Sequence, residues 1–241
     1  MIAAALVNLA VGLIRTARAS HERRRGAILS KLKLNITMSI DGFVAGPSQS
    51  EQDPLGVGGM DLHAWLVELA VFRDTHGEGG GEVNASTPIA EGFFENVGAS
   101  IMGRNMFGGS GPWGDEPWKG FWGDEPPFHH PVFVLTRYAR EALELEGGTT
   151  FHFVTDGIEA ALEQAKVAAD GKDVSLGGGA DVVGQYLAAG LLDEMVISIV
   201  PLLLGDGARL FGNLGGARPK LEQVDAIEAP GVTHIRYARM Q

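Results

Sequence analysis

Apolar β-type runs alternating with helix-spaced segments constrain the fold of this chain more than any other feature. Leu32, Leu34, Ile36, Met38 and Ile40 alternate with Lys33, Asn35, Thr37 and Ser39, the period of two that marks a strand. Further β-rich runs fall at Ala99–Gly103, Val132–Thr136, Thr149–Thr155, Val174–Leu176, Met195–Leu204, Leu221–Ile227 and Val232–Tyr237, each bounded by Gly, Pro or charged residues. Between them, Leu62–Phe72, Ile158–Ala169 and Val182–Leu191 carry apolar residues at helical spacing. Thr87-Pro88 offers an N-cap followed by proline at the first helical position, for a helix running to Phe94. Strands separated by helices must pair in parallel, whereas the last three strands follow one another with only loops between. The expectation is an α/β fold with a mixed, mostly parallel sheet of about eight strands and an antiparallel edge.

Residues 1–30 stand apart. An apolar run, Ile2–Ile14, is followed by the basic stretch Arg15, Arg18, Arg23, Arg24 and Arg25. We read residues 1–30 as an N-terminal appendage, poorly ordered or a loosely docked helix, and residues 31–241 as one domain. The apolar run falls short of the roughly 20 residues that span a bilayer, and no basic residues precede it as in a secretory leader. A net charge of -11 repels phosphate backbones, so nucleic acid is not an expected partner; neither is a membrane. The absence of cysteine removes disulfides, thiolate zinc sites and cysteine nucleophiles, and fits a cytoplasmic location.

The chemistry-bearing residues gather where strands end. Val174-Ser175-Leu176 runs through Gly177-Gly178-Gly179-Ala180 into the helical segment beginning Asp181-Val182. A glycine turn opening a helix lets a diphosphate approach the backbone and the helix N-terminal N–H groups, although it is neither GxGxxG nor a P-loop, and a tight strand-to-helix turn alone would also require glycine. Ile101-Met102-Gly103-Arg104 ends a second strand with glycine and a guanidinium, and Val132–Leu135 ends a third with Thr136 and Arg137. In open α/β sheets ligands lie beyond the carboxyl ends of the strands, so these three ends form a candidate cradle for a phosphorylated dinucleotide. The aromatic stretch 112–128 repeats Trp-Gly-Asp-Glu-Pro and must bury its rings in a satellite cluster or a pocket wall. His129 and His130 have no carboxylate at zinc or iron spacing, and no metal site is expected.

Ile-Met-Gly-Arg, Val-Phe-Val-Leu-Thr and Leu-Gly-Gly-Gly, in that order, resemble dihydrofolate reductase. The opening Asn35–Gly46 and the late Gly190–Glu194 with Val200–Gly205 are more similar to the reductase domain of the bacterial bifunctional deaminase-reductases of riboflavin biosynthesis. This resemblance covers roughly residues 32–237 and implies a three-layer α/β/α dihydrofolate-reductase-like fold, an NADPH-dependent oxidoreductase and a homodimer. It also implies that Gly177, Gly178, Gly179 and Ala180, with Asp181 and Val182, face the cofactor diphosphate. Gly103, Arg104, Thr136 and Arg137 hold the adenosine 2′-phosphate end, and Ala45 and Gly46 lie beside the nicotinamide. Asp41 matches the family's Ser-Ile-Asp-Gly turn, as a turn-shaping residue or as a catalytic group acting on substrate. Residues 47–87 are longer than the family's connection, and neither Asp61 nor Glu68 matches a motif that assigns the proton donor. With no cysteine the fused zinc deaminase is excluded, leaving a stand-alone reductase for a small heterocyclic or imine-like substrate, or a non-catalytic nucleotide-binding module of the same fold.

Overall fold

The computed structural model describes residues 30–108, 111–114 and 119–240, so the appendage read over residues 1–30 lies, but for Ser30, outside the described residues. Nine strands form the main sheet: β1 (Leu32–Ser39), β3 (Val97–Gly103), β4 (Pro131–Leu135), β5 (Leu143–Glu144), β6 (Thr150–Val154), β7 (Asp173–Gly178), β8 (Glu194–Val200), β10 (Leu221–Ala229) and β11 (Val232–Arg239). Their order is β10-β11-β8-β1-β7-β3-β4-β6-β5. The six strands from β8 to β6 are parallel, with antiparallel β11 and β10 on one flank and antiparallel β5 on the other. Of these nine, β5 is the one the sequence pattern missed, and two residues are too few to carry a period. A second, two-stranded sheet pairs β2 (Phe43–Ala45) with β9 (Ala208–Arg209).

Period-two alternation puts the two sides of each strand into different cores. On one face Leu34, Ile101, Leu176 and Ile197 pack under α5 (Ile158–Ala168) and α6 (Ala180–Ala188). Ile158, Ala161, Leu162 and Ala165 of α5 and Val182, Val183, Tyr186 and Leu187 of α6 are the buried stripes expected from helical spacing. The buried Tyr186 hydroxyl donates to the Ile158 carbonyl at 2.8 Å and ties the two helices together. On the other face Leu62, Trp65, Leu69, Ala90, Val200 and Val232 form one cluster, and Met102, Phe107, Val132, Val134 and Phe151 another. Helices therefore cover both faces, giving the three-layer arrangement.

Three boundaries differ from the sequence expectation. The Leu62–Phe72 stripe is not one helix: a 3-10 turn at Gly59–His63 leads into α1 (Ala64–Val67), and α2 (Ala70–Thr75) follows a break. Leu69 is extended there because the returning chain takes its hydrogen bonds, with Glu82 N donating to Glu68 O at 2.7 Å and Ala70 N to Glu82 O at 2.8 Å. Asp61 and Glu68 thus share no helix face. The helix expected to reach Phe94, α3 (Thr87–Glu91), is shorter and has Ser86 at its N-cap. The Met195–Leu204 run stops being a strand at Pro201, where Leu202 O accepts from Ile40 N at 3.0 Å.

Candidate active site

The carboxyl ends of β7, β3 and β4 are neighbours in the sheet, as their shared strand-to-turn pattern suggested. Between Ile101↔Leu176 and Met102↔Gly178 the register slips by one residue, so Gly177 bulges at the end of β7. Gly178 follows at φ 117°, a conformation that only glycine adopts without strain, and the Gly178–Gly179 peptide is cis. α6 begins immediately afterwards. A Cβ at Gly179 would meet nothing within 4 Å, so the backbone is open to a ligand there, beside the first-turn N–H groups of the helix. Gly103 is needed for a different reason: a Cβ would lie 2.9 Å from Val182 Cγ2 and hold β3 away from α6.

These ends open into a cleft of about 1170 Å³, above the roughly 300–1,000 Å³ usual for one small ligand. Its wall includes Ala45, Gly103, Arg104, Thr136, Arg137, Gly177, Gly178, Gly179, Ala180, Asp181 and Val182. It also includes residues that the sequence reading did not single out, among them Asn35, Thr37, His63, Phe93 and Arg209. Among the described residues, three arginines against the single carboxylate of Asp181 make the wall cationic in a chain of net charge -11. Arg104 projects from α4 (Arg104–Phe107) and rests over the Trp113 ring at 3.6 Å from guanidinium carbon to centroid. Its Nε and Nη1 are buried without a hydrogen-bond partner among the described residues. Burial and the nearby Arg140 both press its pKa below the ordinary arginine value. The charge of Glu51 opposes them, but no acceptor among the described residues bonds these nitrogens, which suit an anion.

Gly46 and Asp41 do not line the cleft. A Cβ at Gly46 would fall 2.0 Å from the Val57 carbonyl oxygen, so glycine is required there by the fold of residues 46–57. Asp41 binds the protein itself: its carboxylate accepts from Ser39 Oγ at 2.6 Å, Gly205 N at 2.7 Å and Leu204 N at 3.2 Å. The Ser39 hydroxyl, followed by these amides, holds its pKa below the usual carboxylate range despite a burial cost. This network fixes β2 and β9 beside the cleft. Arg209 of β9 completes it, donating to the Asp41 carbonyl at 3.0 Å and lying over Phe43 at 4.4 Å. Arg209 was missed because it follows the Val200–Gly205 motif on a loop with no period, and only pairing with β2 brings it to the cleft.

The aromatic stretch does both things its composition allowed. Trp113, Trp122 and Phe128 pack on the Phe107–Phe151 cluster, while Phe121 and Trp122 also line the cleft. The two histidines are bonded to protein: His129 Nδ1 to the Gly147 carbonyl at 2.8 Å and His130 Nε2 to Ser100 Oγ at 2.7 Å. Burial pushes His130 down to about 4.

The sequence profile of the RibD C-terminal domain matches residues 30–234. The chain belongs to that family. The uncharacterized protein YwjB of Bacillus subtilis (strain 168) is 26% identical over 184 residues, spanning 76% of this chain and 84% of YwjB. A Shewanella sp. PV-4 structure, provisionally assigned to riboflavin biosynthesis, superposes with a TM-score of 0.58 at 21% identity over 88% of this chain and 99% of that one. Enterococcus faecalis dihydrofolate reductase, solved in complex with NADP(H) and RAB-propyl, gives 0.50 at 14% identity over 88% and 97%. At these identities the structural likenesses establish the dihydrofolate-reductase-like fold. Family members are NAD(P)H-dependent reductases. No helix among the described residues is long and apolar enough to cross a membrane.

Proposed function

We propose that this protein is an NADPH-dependent reductase acting on a small heterocyclic or imine-like substrate, similar to 5-amino-6-(5-phosphoribosylamino)uracil in the reductive step of riboflavin biosynthesis. The observation that carries the reading is the convergence of three adjacent strand ends on one cationic cleft. It combines an open glycine turn at a helix N-terminus with a buried guanidinium that has unpaired nitrogens. Those residues fit a phosphorylated dinucleotide. Gly177–Gly179 and the first turn of α6 would receive the diphosphate, and Arg104, Thr136 and Arg137 the 2′-phosphate end. NADPH, when bound, supplies the hydride. The protein's part is to hold cofactor and substrate in contact and to exclude water. Ala45, fixed by the Asp41 network, would border the nicotinamide.

A second reading is a nucleotide-binding module without turnover. It draws support from the cleft wall, where Asp181, beside the glycine turn, is the one carboxylate among the described residues. Following loss of dihydronicotinamide absorbance with a panel of pterin, ribosylaminopyrimidine and quinone compounds separates the two. Turnover of a member supports the reductase, and tight NADPH binding with no turnover across the panel supports the module. A homodimer is part of the same proposal. β8 owes most of its apolar character to its place inside the sheet, which leaves Leu203, 71% exposed, as the residue of that run free for an interface. Light scattering of the purified protein tests it, a monomeric mass being the contrary result.

A further inference from the structure

Arg209 lines the cleft apart from the other two arginines. Arg104 and Arg137 follow β3 and β4, whereas Arg209 belongs to β9 and pairs with Phe43 of β2. The stretch that carries it joins two parts of the cleft wall. At one end Ala208 pairs with Ala45, and Leu210 N donates to the Gly42 carbonyl at 2.9 Å. At the other, the Asn213 carbonyl oxygen lies so close to α6 that a Cβ at Gly184 would meet it at 2.9 Å. Arg209 thus stands between β2 and the helix that follows the glycine turn, and Asp181 and Gln185 of that helix line the same wall.

The residue is exposed, yet its side chain is held. Nη1 donates to the Asp41 carbonyl at 3.0 Å, and the guanidinium carbon lies 4.4 Å from the Phe43 ring centroid. Nε and Nη2 bond to nothing among the described residues, which leaves the side-on pair of donors that suits two phosphate oxygens. A dinucleotide's diphosphate would bring two negative charges to the glycine turn, and Asp181 adds a third on the first turn of α6. A helix N-terminus offers roughly half a positive charge against them. With Arg104 and Arg137 at the 2′-phosphate, Arg209 is the remaining arginine or lysine of the wall among the described residues.

We propose that Arg209 supplies the cationic side-chain contact to the cofactor's diphosphate. The Asp41 carbonyl and the Phe43 ring set its direction, so the turn after β1 serves cofactor binding through Arg209. This rests on the reading of the cleft as a dinucleotide site.

Calorimetric titration of the full chain with NADPH, and with adenosine 2′-monophosphate, which lacks the diphosphate, tests the assignment. In Arg209→Gln, NADPH should bind about tenfold more weakly, the lower end for a charge-assisted hydrogen bond because the group is exposed. Adenosine 2′-monophosphate should change by no more than about twofold. The NADPH loss should shrink in about 1 M salt, where charges are screened within roughly 3 Å. Arg209→Lys, which keeps the charge without the fork, should recover part of the affinity and serves if the glutamine variant fails to fold. A merely structural part in bracing β2 against β9 would give a loss indifferent to salt and shared by the lysine variant. Unchanged NADPH affinity in Arg209→Gln, a loss untouched by salt, or an equal loss for both ligands overturns the assignment, the last by moving Arg209 to the 2′-phosphate. Failure of the unmodified protein to bind NADPH removes the cofactor reading, and Arg209's part with it, before any variant is compared.

Discussion

The Arg104 guanidinium lies 3.6 Å from the centroid of Trp113, yet its buried Nε and Nη1 bond to nothing among the described residues. Stacking holds the group in place without satisfying it. A guanidinium presented in this way at the end of β3 is preorganised for an anion such as the cofactor's phosphate.

The glycine turn beside it can be probed by substitution. At Gly178 the backbone is at φ 117°, so any side chain strains the fold as well as crowding a ligand, and loss of binding there would be ambiguous. Gly179 has φ -75° and open space where its Cβ would stand. Gly179→Val should therefore leave the melting temperature within a few degrees, roughly the shift of under 1 kcal/mol. It should also weaken NADPH by about tenfold or more, because the branched side chain fills the approach to the backbone. Unchanged NADPH affinity, measured by fluorescence titration in the folded variant, would remove the diphosphate from this turn.

Tyr186→Phe tests the support beneath that turn. The variant leaves the Ile158 carbonyl without its 2.8 Å partner between α5 and α6, in a site where Tyr186 is fully buried. Loss of such a bond should cost about 1–2 kcal/mol in urea unfolding with an unchanged slope. A change well below this range would mean that another donor reaches the carbonyl.

His234 sets part of the pH dependence of stability. The ring is 1% exposed, bonded to Ser86 Oγ at 2.9 Å and Ser198 Oγ at 2.7 Å, and burial pushes its pKa down to about 4. Its folded pKa is below the unfolded value near 6.5, so the unfolded chain binds the extra proton between those two values. The contribution is then complete above about pH 6.5 and is lost as pH falls towards 4, by up to about 3 kcal/mol. His130, also near 4, acts in the same direction. Denaturant unfolding at pH 7, 6, 5 and 4 should show this decline, and His234→Gln should flatten it. An unchanged slope in that variant would assign the decline to other groups.

Much of this architecture was legible because the relevant signals are periodic and local. Leu32–Ile40 alternates, α5 and α6 carry clean stripes, and Gly177–Gly179, Gly103-Arg104 and Thr136-Arg137 each end a strand within a few residues of sequence. What could not be read depends on contacts between distant segments. The helix read over Leu62–Phe72 breaks because Glu82 returns to bond Glu68 and Ala70, an event that no local pattern announces. Gly46 and Asp41 belong to real motifs, yet their neighbours are Val57, Leu204 and Gly205, so the structure turns them towards the protein and away from the cleft. Arg209 and His63 reach the cleft only through the β2–β9 pairing and the 3-10 turn over β1.

The central claim is that the cleft holds NADPH through its 2′-phosphate, and comparing dissociation constants for NADPH and NADH at low ionic strength tests it most directly. Charge-assisted hydrogen bonds to a dianionic phosphate contribute about 1.5–3 kcal/mol each, so losing two or three should weaken NADH by about two to three orders of magnitude. Low salt keeps screening least. Arg104→Ala should erode that preference by weakening NADPH while leaving NADH nearly unchanged. Comparable affinity of the unmodified protein for both cofactors would contradict the placement of the phosphate against Arg104, Thr136 and Arg137.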